Sequence, residues 1–185
     1  IFNTNIDNVS KEQRYQAKAV NFGIIYGQQA FGLSKELGIS MKEASSFITK
    51  YFDRYAKVKD FIDSCYEQAR STGKVVTMSG RERMINDINS KNNMLRSAAQ
   101  RLAVNTTIQG SSADLIKLAM IEVDKMIQGL QSYMILQVHD ELIFEVPDDE
   151  LDELEKKVIT AMEEVCHLNI PLKVNISIGK NWKEC

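Results

Sequence analysis

The sequence predicts an α+β fold, with a helical portion followed by a portion built on an antiparallel sheet with a carboxylate-tipped hairpin. Three observations predict it. Capping signals and apolar residues at helical spacing occupy most of the chain up to residue 128. Two β-favouring runs, Tyr133 to Val138 and Leu142 to Val146, are then separated by only His139, Asp140 and Glu141. Charge divides the chain in the same sense. Residues 1–118 carry 17 Lys+Arg against 11 Asp+Glu, whereas residues 119–185 carry 6 against 14. The net charge of -2 therefore hides a basic first part able to face phosphate.

The elements follow in order. Ser10 with Gln13 three residues on forms a capping-box pattern, so a helix should start there and end near Gly27. Ser40 and Glu43 repeat the signal. From there to about Ala69, Phe47, Ile48, Tyr51, Phe52, Tyr55, Val58, Phe61 and Ile62 recur at helical spacing, which predicts two helices with a break near Tyr55 and these aromatics in the core. Val75-Val76-Thr77 and Arg83-Met84-Ile85 flank Ser79-Gly80 as a short hairpin. Helical periodicity resumes near Asn92. Gly110 is expected to part that helix from another, Ala113 to Gln128, which Gly129 closes, with Asp114 as a structural carboxylate at the second helix's start. After the β hairpin, an acidic amphipathic helix should follow Pro147, with its run from Asp148 to Glu155 favouring the helix N-terminus. A strand is expected over Leu172 to Ile178.

Composition narrows the setting. With 44% apolar and 26% charged residues over 185 positions, the chain can bury a core without staples. Cys65, Cys166 and Cys185 are odd in number and far apart, which suits neither a disulfide framework nor a Cys-x-x-Cys metal site. No run of about 18 apolar residues suggests a membrane span, and no secretory signal is present. A cytoplasmic location is expected. The start Ile1-Phe2-Asn3 lacks an initiator methionine, which leads us to expect a piece of a longer chain.

Three constellations can carry chemistry. On a helical wheel at about 100° per residue, Arg14, Lys18, Phe22 and Tyr26 form one slowly winding stripe, while Ala17, Val20 and Ile24 form a separate apolar face. Two cations followed by two aromatics suit a nucleotide, through charge-assisted hydrogen bonds to phosphate and flat faces for sugar or base. Spacing alone favours a plainer reading, an amphipathic helix with packed aromatics and solvated cations. In the helix from Asn92, Leu95, Ala99, Leu102, Ala103 and Thr106 share a mainly apolar face, whereas Arg101, Asn105 and Gln109 recur every four residues on another. Such a row can donate to minor-groove acceptors without reading sequence, but on periodicity alone a solvated helix face is the favoured reading. At the hairpin, Asp140 and Glu141 expose hard oxygen ligands of the kind Mg²⁺ takes. Composition alone favours plain turn residues, with His139 hydrogen-bonded and not a ligand.

The exact residues favour the functional readings. Arg14-Tyr-Gln-Ala-Lys18-Ala-Val-Asn-Phe22-Gly-Ile-Ile-Tyr26-Gly27 resembles the fingers-helix motif R-x-x-x-K-x-x-N-F-G-x-x-Y-G of the DNA polymerase I family (family A). Arg101-Leu-Ala-Val-Asn105-Thr-Thr-Ile-Gln109-Gly110 with Ala113-Asp114 looks like its R-x-x-x-N-x-x-x-Q-G segment and sequel, and Gln137-Val-His139-Asp140-Glu141-Leu-Ile-Phe-Glu-Val resembles its palm motif. Gly179-Lys-Asn181-Trp182 resembles its C-terminal G-x-N-W. The likeness is nearly end to end, apart from Tyr15, where close relatives often carry a second arginine.

The resemblance implies a truncated polymerase domain, with residues 1–91 mainly fingers and 92–185 mainly palm. It implies template-directed DNA synthesis from dNTPs on a primer-template, with Arg14 and Lys18 on the incoming triphosphate, Phe22 against its sugar and Tyr26 beside the templating position. Arg101, Asn105 and Gln109 would touch primer-template, and His139 would lie near the primer end and the dNTP. Asp140 is the implied catalytic metal ligand and Glu141 an auxiliary carboxylate. Two Mg²⁺ ions serve the complete enzyme, which is expected to be monomeric and cytoplasmic, beside a bacterial nucleoid, or organellar. The family's second essential aspartate sits in a motif resembling D-Y-S-x-I-E that nothing before Ser10 matches, so the isolated chain is expected to be inactive. A single-subunit RNA polymerase is disfavoured by Phe22, where such enzymes usually carry tyrosine. A non-catalytic DNA-binding module remains the rival of a different class.

Overall fold

Ser10 opens the first helix as its sequence demands. Its Oγ accepts from the Gln13 N–H at 3.1 Å while Gln13 Oε1 accepts from the Ser10 N–H at 3.0 Å, a complete capping box at the start of α1 (Lys11–Ile25). The computed structural model describes residues 5–185; the Ile1-Phe2-Asn3 start lies outside them. α1 ends in a Schellman motif, in which Gly27 at φ 75 donates to the Ile24 carbonyl and Gln28 to that of Gly23. Glycine tolerates that left-handed turn at no steric cost.

α2 (Ala30–Leu37), α3 (Met41–Arg54) and α4 (Ala56–Thr72) follow, with α3 starting on the Ser40–Glu43 capping box and the break at Tyr55 falling where predicted. The sequence reading did not include α2. Its N-cap is Gln29, which makes no side-chain capping bond, so the usual start signal is absent. Val20 and Ile24 of α1 pack with Leu33 of α2 and Ala44 and Tyr51 of α3 in one apolar cluster. Full burial of a side chain such as Leu33 contributes about 2 kcal/mol. β1 (Lys74–Val76) and β2 (Glu82–Met84) form the expected hairpin, and Val75 and Ile85 pack with Ala69, Ile88, Ala99 and Ala103.

A single helix, α5 (Asn93–Met126), replaces the two predicted around Gly110. A mid-helix glycine costs roughly 1 kcal/mol relative to alanine. That is less than what burial of Ala103, Val104, Ala119 and Val123 along the same helix returns. Asp114 accordingly lies inside a helix and does not begin one.

The chain divides into two compact units, Ile1–Gln109 and Gly110–Cys185. In the second, β3 (Tyr133–Val138) and β4 (Glu141–Glu145) pair antiparallel with an irregularity between Met134 and Leu136. Met134, Leu142 and Phe144 pack against Val123, Ile127, Leu154, Val158 and Ala161, which places the hairpin on α5 and on α6 (Leu151–Glu163). The acidic helix after Pro147 is thus present, led by a 3-10 turn at Asp148–Glu150. Glu150 also braces the hairpin's entry: it accepts from the N–H groups of Gln131 and Ser132, both at 2.8 Å. Its carboxyl is held below the ordinary range, first by the Gln131 N–H and then by the Ser132 hydroxyl.

No strand forms over residues 172–178, contrary to expectation. β preference reflects pairing and packing more than an intrinsic backbone bias, and that stretch joins no ladder among the described residues. It is tied to α6 by the Val174 N–H on Glu163 Oε1 at 3.0 Å and by Lys173 Nζ at 4.0 Å from Glu163 Oε2. Among the described residues, no helix is long and apolar enough to cross a membrane.

Candidate functional site

α1 buries Val20 and Ile24 and leaves Arg14, Lys18, Phe22 and the cap residue Tyr26 on its exposed side. The four-residue spacing becomes a physical row. Phe22 and Tyr26 stack with ring centroids 6.0 Å apart and planes 19° from parallel, and Lys18 Nζ lies 6.0 Å from the Phe22 ring. Phe22 is 43% and Tyr26 37% exposed, so the aromatics are not spent on the core. That distinguishes them from Tyr51, which is buried and whose hydroxyl donates to Asn21 Oδ1 at 2.8 Å. This bond ties α1 to α3 from within the Asn21-Phe22-Gly23 string. Burial, then the neighbouring Tyr55, pushes the Tyr51 phenol up. Among the described residues neither Arg14 nor Lys18 has an acidic partner, which leaves both cations available to an anion.

The row on α5 meets the end of α1 within the same unit. Arg101 lies against Gly27 closely enough that a Cβ there would sit 2.9 Å from Arg101 Cγ. Arg101 and Gln109 are exposed, and Asn105 is half-buried with its Oδ1 enclosed and without a hydrogen-bond partner among the described residues. A buried acceptor left unpaired is costly. Arg83 Nη1 donates to Thr106 Oγ1 at 3.4 Å beside it. Below the end of α1, a cavity of about 410 Å³ is lined by Ile25, Gln28, Ile48, Phe52, Ile62 and Tyr66, among others.

In the second unit, Val138 pairs with Glu141, which leaves His139 and Asp140 as a two-residue turn. His139 has φ 55, the one positive value among described non-glycine residues, and its carbonyl accepts from Gln137 Nε2 at 2.6 Å. A side chain in that region signals a conformation held by its surroundings. Asp140 and Glu141 are adjacent and exposed at the tip. Two hard carboxylates on a fixed turn fit Mg²⁺, which binds one or two protein carboxylates and fills its other positions with water and substrate phosphate. Among the described residues no group of three His, Cys, Asp or Glu could hold a metal by itself.

Sequence reasoning had found the exposed stripes but not the residues that fix them. Gln28 and Gly32 carry no charge or spacing signal of their own, and Asn21 stands in the quoted motif with nothing in it to point to Tyr51. Phe31 on α2, with Lys35 Nζ 4.5 Å from its ring, was missed along with its helix.

Comparison with known proteins bears on both units. The profile of DNA polymerase family A matches residues 1–184. DNA polymerase I of Caldicellulosiruptor bescii is 48% identical over 100% of this chain and 22% of its own length. DNA polymerase I of Streptococcus pneumoniae is 47% identical over 96% of this chain and 20% of its own. The chain thus spans about a fifth of the length of these curated relatives. A solved structure, the POL domain of Pol1 from M. smegmatis in complex with DNA primer-template and dNTP, superposes with a TM-score of 0.96 at 43% identity, covering 99% of this chain and 33% of that one. From a match along almost its whole length, the chain belongs to DNA polymerase family A.

Proposed function

We propose that this chain serves template-directed DNA synthesis, as the fingers (mainly residues 1–91) and part of the palm (mainly residues 92–185) of a longer DNA polymerase I. The observation that carries the reading is the exposed row on α1, two cations without an acidic partner among the described residues leading into two stacked aromatics. A relative of the same fold bound to primer-template and dNTP supports it.

In this reading, Arg14 and Lys18 bind the incoming triphosphate by charge-assisted hydrogen bonds. Phe22 lies against the sugar and Tyr26 beside the templating base. Arg101, Asn105 and Gln109 contact the primer-template minor groove, where amide and guanidinium donors meet acceptors common to all base pairs. His139 lies near the primer end and the dNTP. Asp140, with Glu141 as auxiliary carboxylate, would hold a divalent cation at the hairpin tip. Two such ions, when bound, would stabilise the attacking and leaving oxygens of an in-line displacement at the α-phosphate. Two ions need more anchors than this tip offers, so the 185-residue chain alone is expected not to polymerise.

Primer extension with Mg²⁺ and dNTPs, using the parent-length protein that contains this segment, tests the reading. The native protein should extend a primer, and Asp140→Ala should be slower by at least about a thousandfold while still retaining DNA. If the native protein fails to extend, or the variant extends as well as native, catalysis is not its role and a DNA-binding module becomes the better account.

A further inference from the structure

Gln28 lies outside every string that carries the family resemblance, yet the end of α1 is built around its side chain. A Cβ at Gly23 would lie 2.1 Å from Gln28 Oε1, and a Cβ at Gly32 would lie 2.8 Å from Gln28 Cγ. The side chain therefore lies in a slot against the two glycines, where a Cβ at either position would force it to shift. Across that slot its Nε2 donates to Glu36 Oε2 at 2.8 Å, in the last turn of α2. Its Oε1 is enclosed and without a hydrogen-bond partner among the described residues. Its own N–H closes α1 on the Gly23 carbonyl. One residue thus joins the two helices by backbone at one end and by side chain at the other. An enclosed, unpaired amide oxygen is unfavourable by itself, so the conformation depends on the Glu36 bond and the slot.

We propose that Gln28 is a positioning residue, clasping the end of α1 to α2 through Glu36 and thereby fixing the pose of Tyr26. The proposal rests on the polymerase reading above. Tyr26 is the cap of α1, stacked on Phe22 and two residues before Gln28. A shift of the Tyr26 backbone, which carries its ring, turns the Gly27 peptide and so strains the bond from the Gln28 N–H to the Gly23 carbonyl and draws Gln28 away from Glu36. With Tyr26 beside the templating base, a looser clasp weakens capture of the correct dNTP more than it slows the chemical step. Methionine at position 28 could fill the slot but has no donor for Glu36.

The test uses the parent-length protein with Gln28→Met, Glu36→Ala, the two combined, and Glu36→Gln, which keeps an acceptor. Hydrogen exchange at the Gly27 and Gln28 amides reads the clasp directly. Gln28→Met and Glu36→Ala should each accelerate it about fivefold, and should raise the dNTP KM by about the same factor with kcat within about twofold. The double variant should be no worse than either single one, and Glu36→Gln should stay within about twofold of native. Unchanged exchange in both single variants overturns the clasp, as does a double variant whose losses multiply. Faster exchange with an unchanged KM overturns the link to Tyr26, and a parallel fall of kcat and melting temperature reduces Gln28 to a structural role. A native protein that extends no primer overturns the polymerase reading, and exchange at these two amides still decides the clasp.

Discussion

The two units hold charges of opposite sign by different physical means. In the first, cations and aromatics recur every fourth residue on a helix anchored by its buried Val20 and Ile24, so Lys18, Phe22 and Tyr26 each stand beside another of the row. In the second, two carboxylates project from a two-residue turn whose geometry depends on one left-handed histidine and one amide contact. A row shares its work and a tip does not. Losing one member of the α1 row should weaken binding while the rest still hold the ligand, whereas losing Asp140 removes the tip's function outright.

That contrast sets the order of expected effects. Asp140→Ala stands first, with its thousandfold or greater loss expected in kcat. Lys18→Ala or Arg14→Ala in the same parent-length protein should raise the dNTP KM by about 10- to 100-fold, the equivalent of one lost charge-assisted hydrogen bond, with kcat less affected. Steady-state primer extension separates the two. If both substitutions lower kcat alike and leave KM unchanged, the distinction between row and tip is broken.

The next effect concerns the support of the row. Leu33 is 1% exposed and packs directly beneath Val20 and Ile24. Leu33→Ala should cost about 3 kcal/mol of stability by denaturant unfolding. Tyr51→Phe should cost less, about 1 kcal/mol, by removing the donor to Asn21 Oδ1. Equal losses from the two would mean that the Asn21 bond, and not apolar packing, holds α1 in place.

Much of this was legible because it is local. Both capping boxes lie within four residues, and the hairpin at residues 138–141 is encoded by two β-favouring runs and the turn between them. α2 was not legible because no capping side chain opens it, and the continuity of α5 was not because a glycine reads as a breaker until burial on both sides of it is known. The absent strand at residues 172–178 has the same origin, since a ladder partner is never written in the strand itself. For the candidate site, the exposed residues could be picked from their strings. Their supports could not: Asn21 to Tyr51, Gln28 to Glu36 and Arg101 to Gly27 are contacts that no spacing rule connects.

The smallest expected effect contrasts the units by pH. Glu150 braces the entry to β3 with bonds from Gln131 and Ser132, which hold its carboxyl below its ordinary value of 4.5. A carboxyl depressed in the folded state stabilises fully above the unfolded value, and that contribution is lost as pH falls through the folded one. Between neutral pH and about 4.5 the brace is therefore constant, and below 4.5 it fades. Glu43, depressed by its bond to the Ser40 hydroxyl, follows the same sign in the first unit, but it caps one helix and does not join separate segments. Glu150→Gln should lower the melting temperature at neutral pH and flatten its fall below 4.5, with exchange accelerated at Gln131 and Ser132. Glu43→Gln should confine its effect to the first turn of α3. If Glu150→Gln leaves the acid limb of the melting curve unchanged, the brace is not what acid removes, and the second unit's hairpin rests on its apolar face alone.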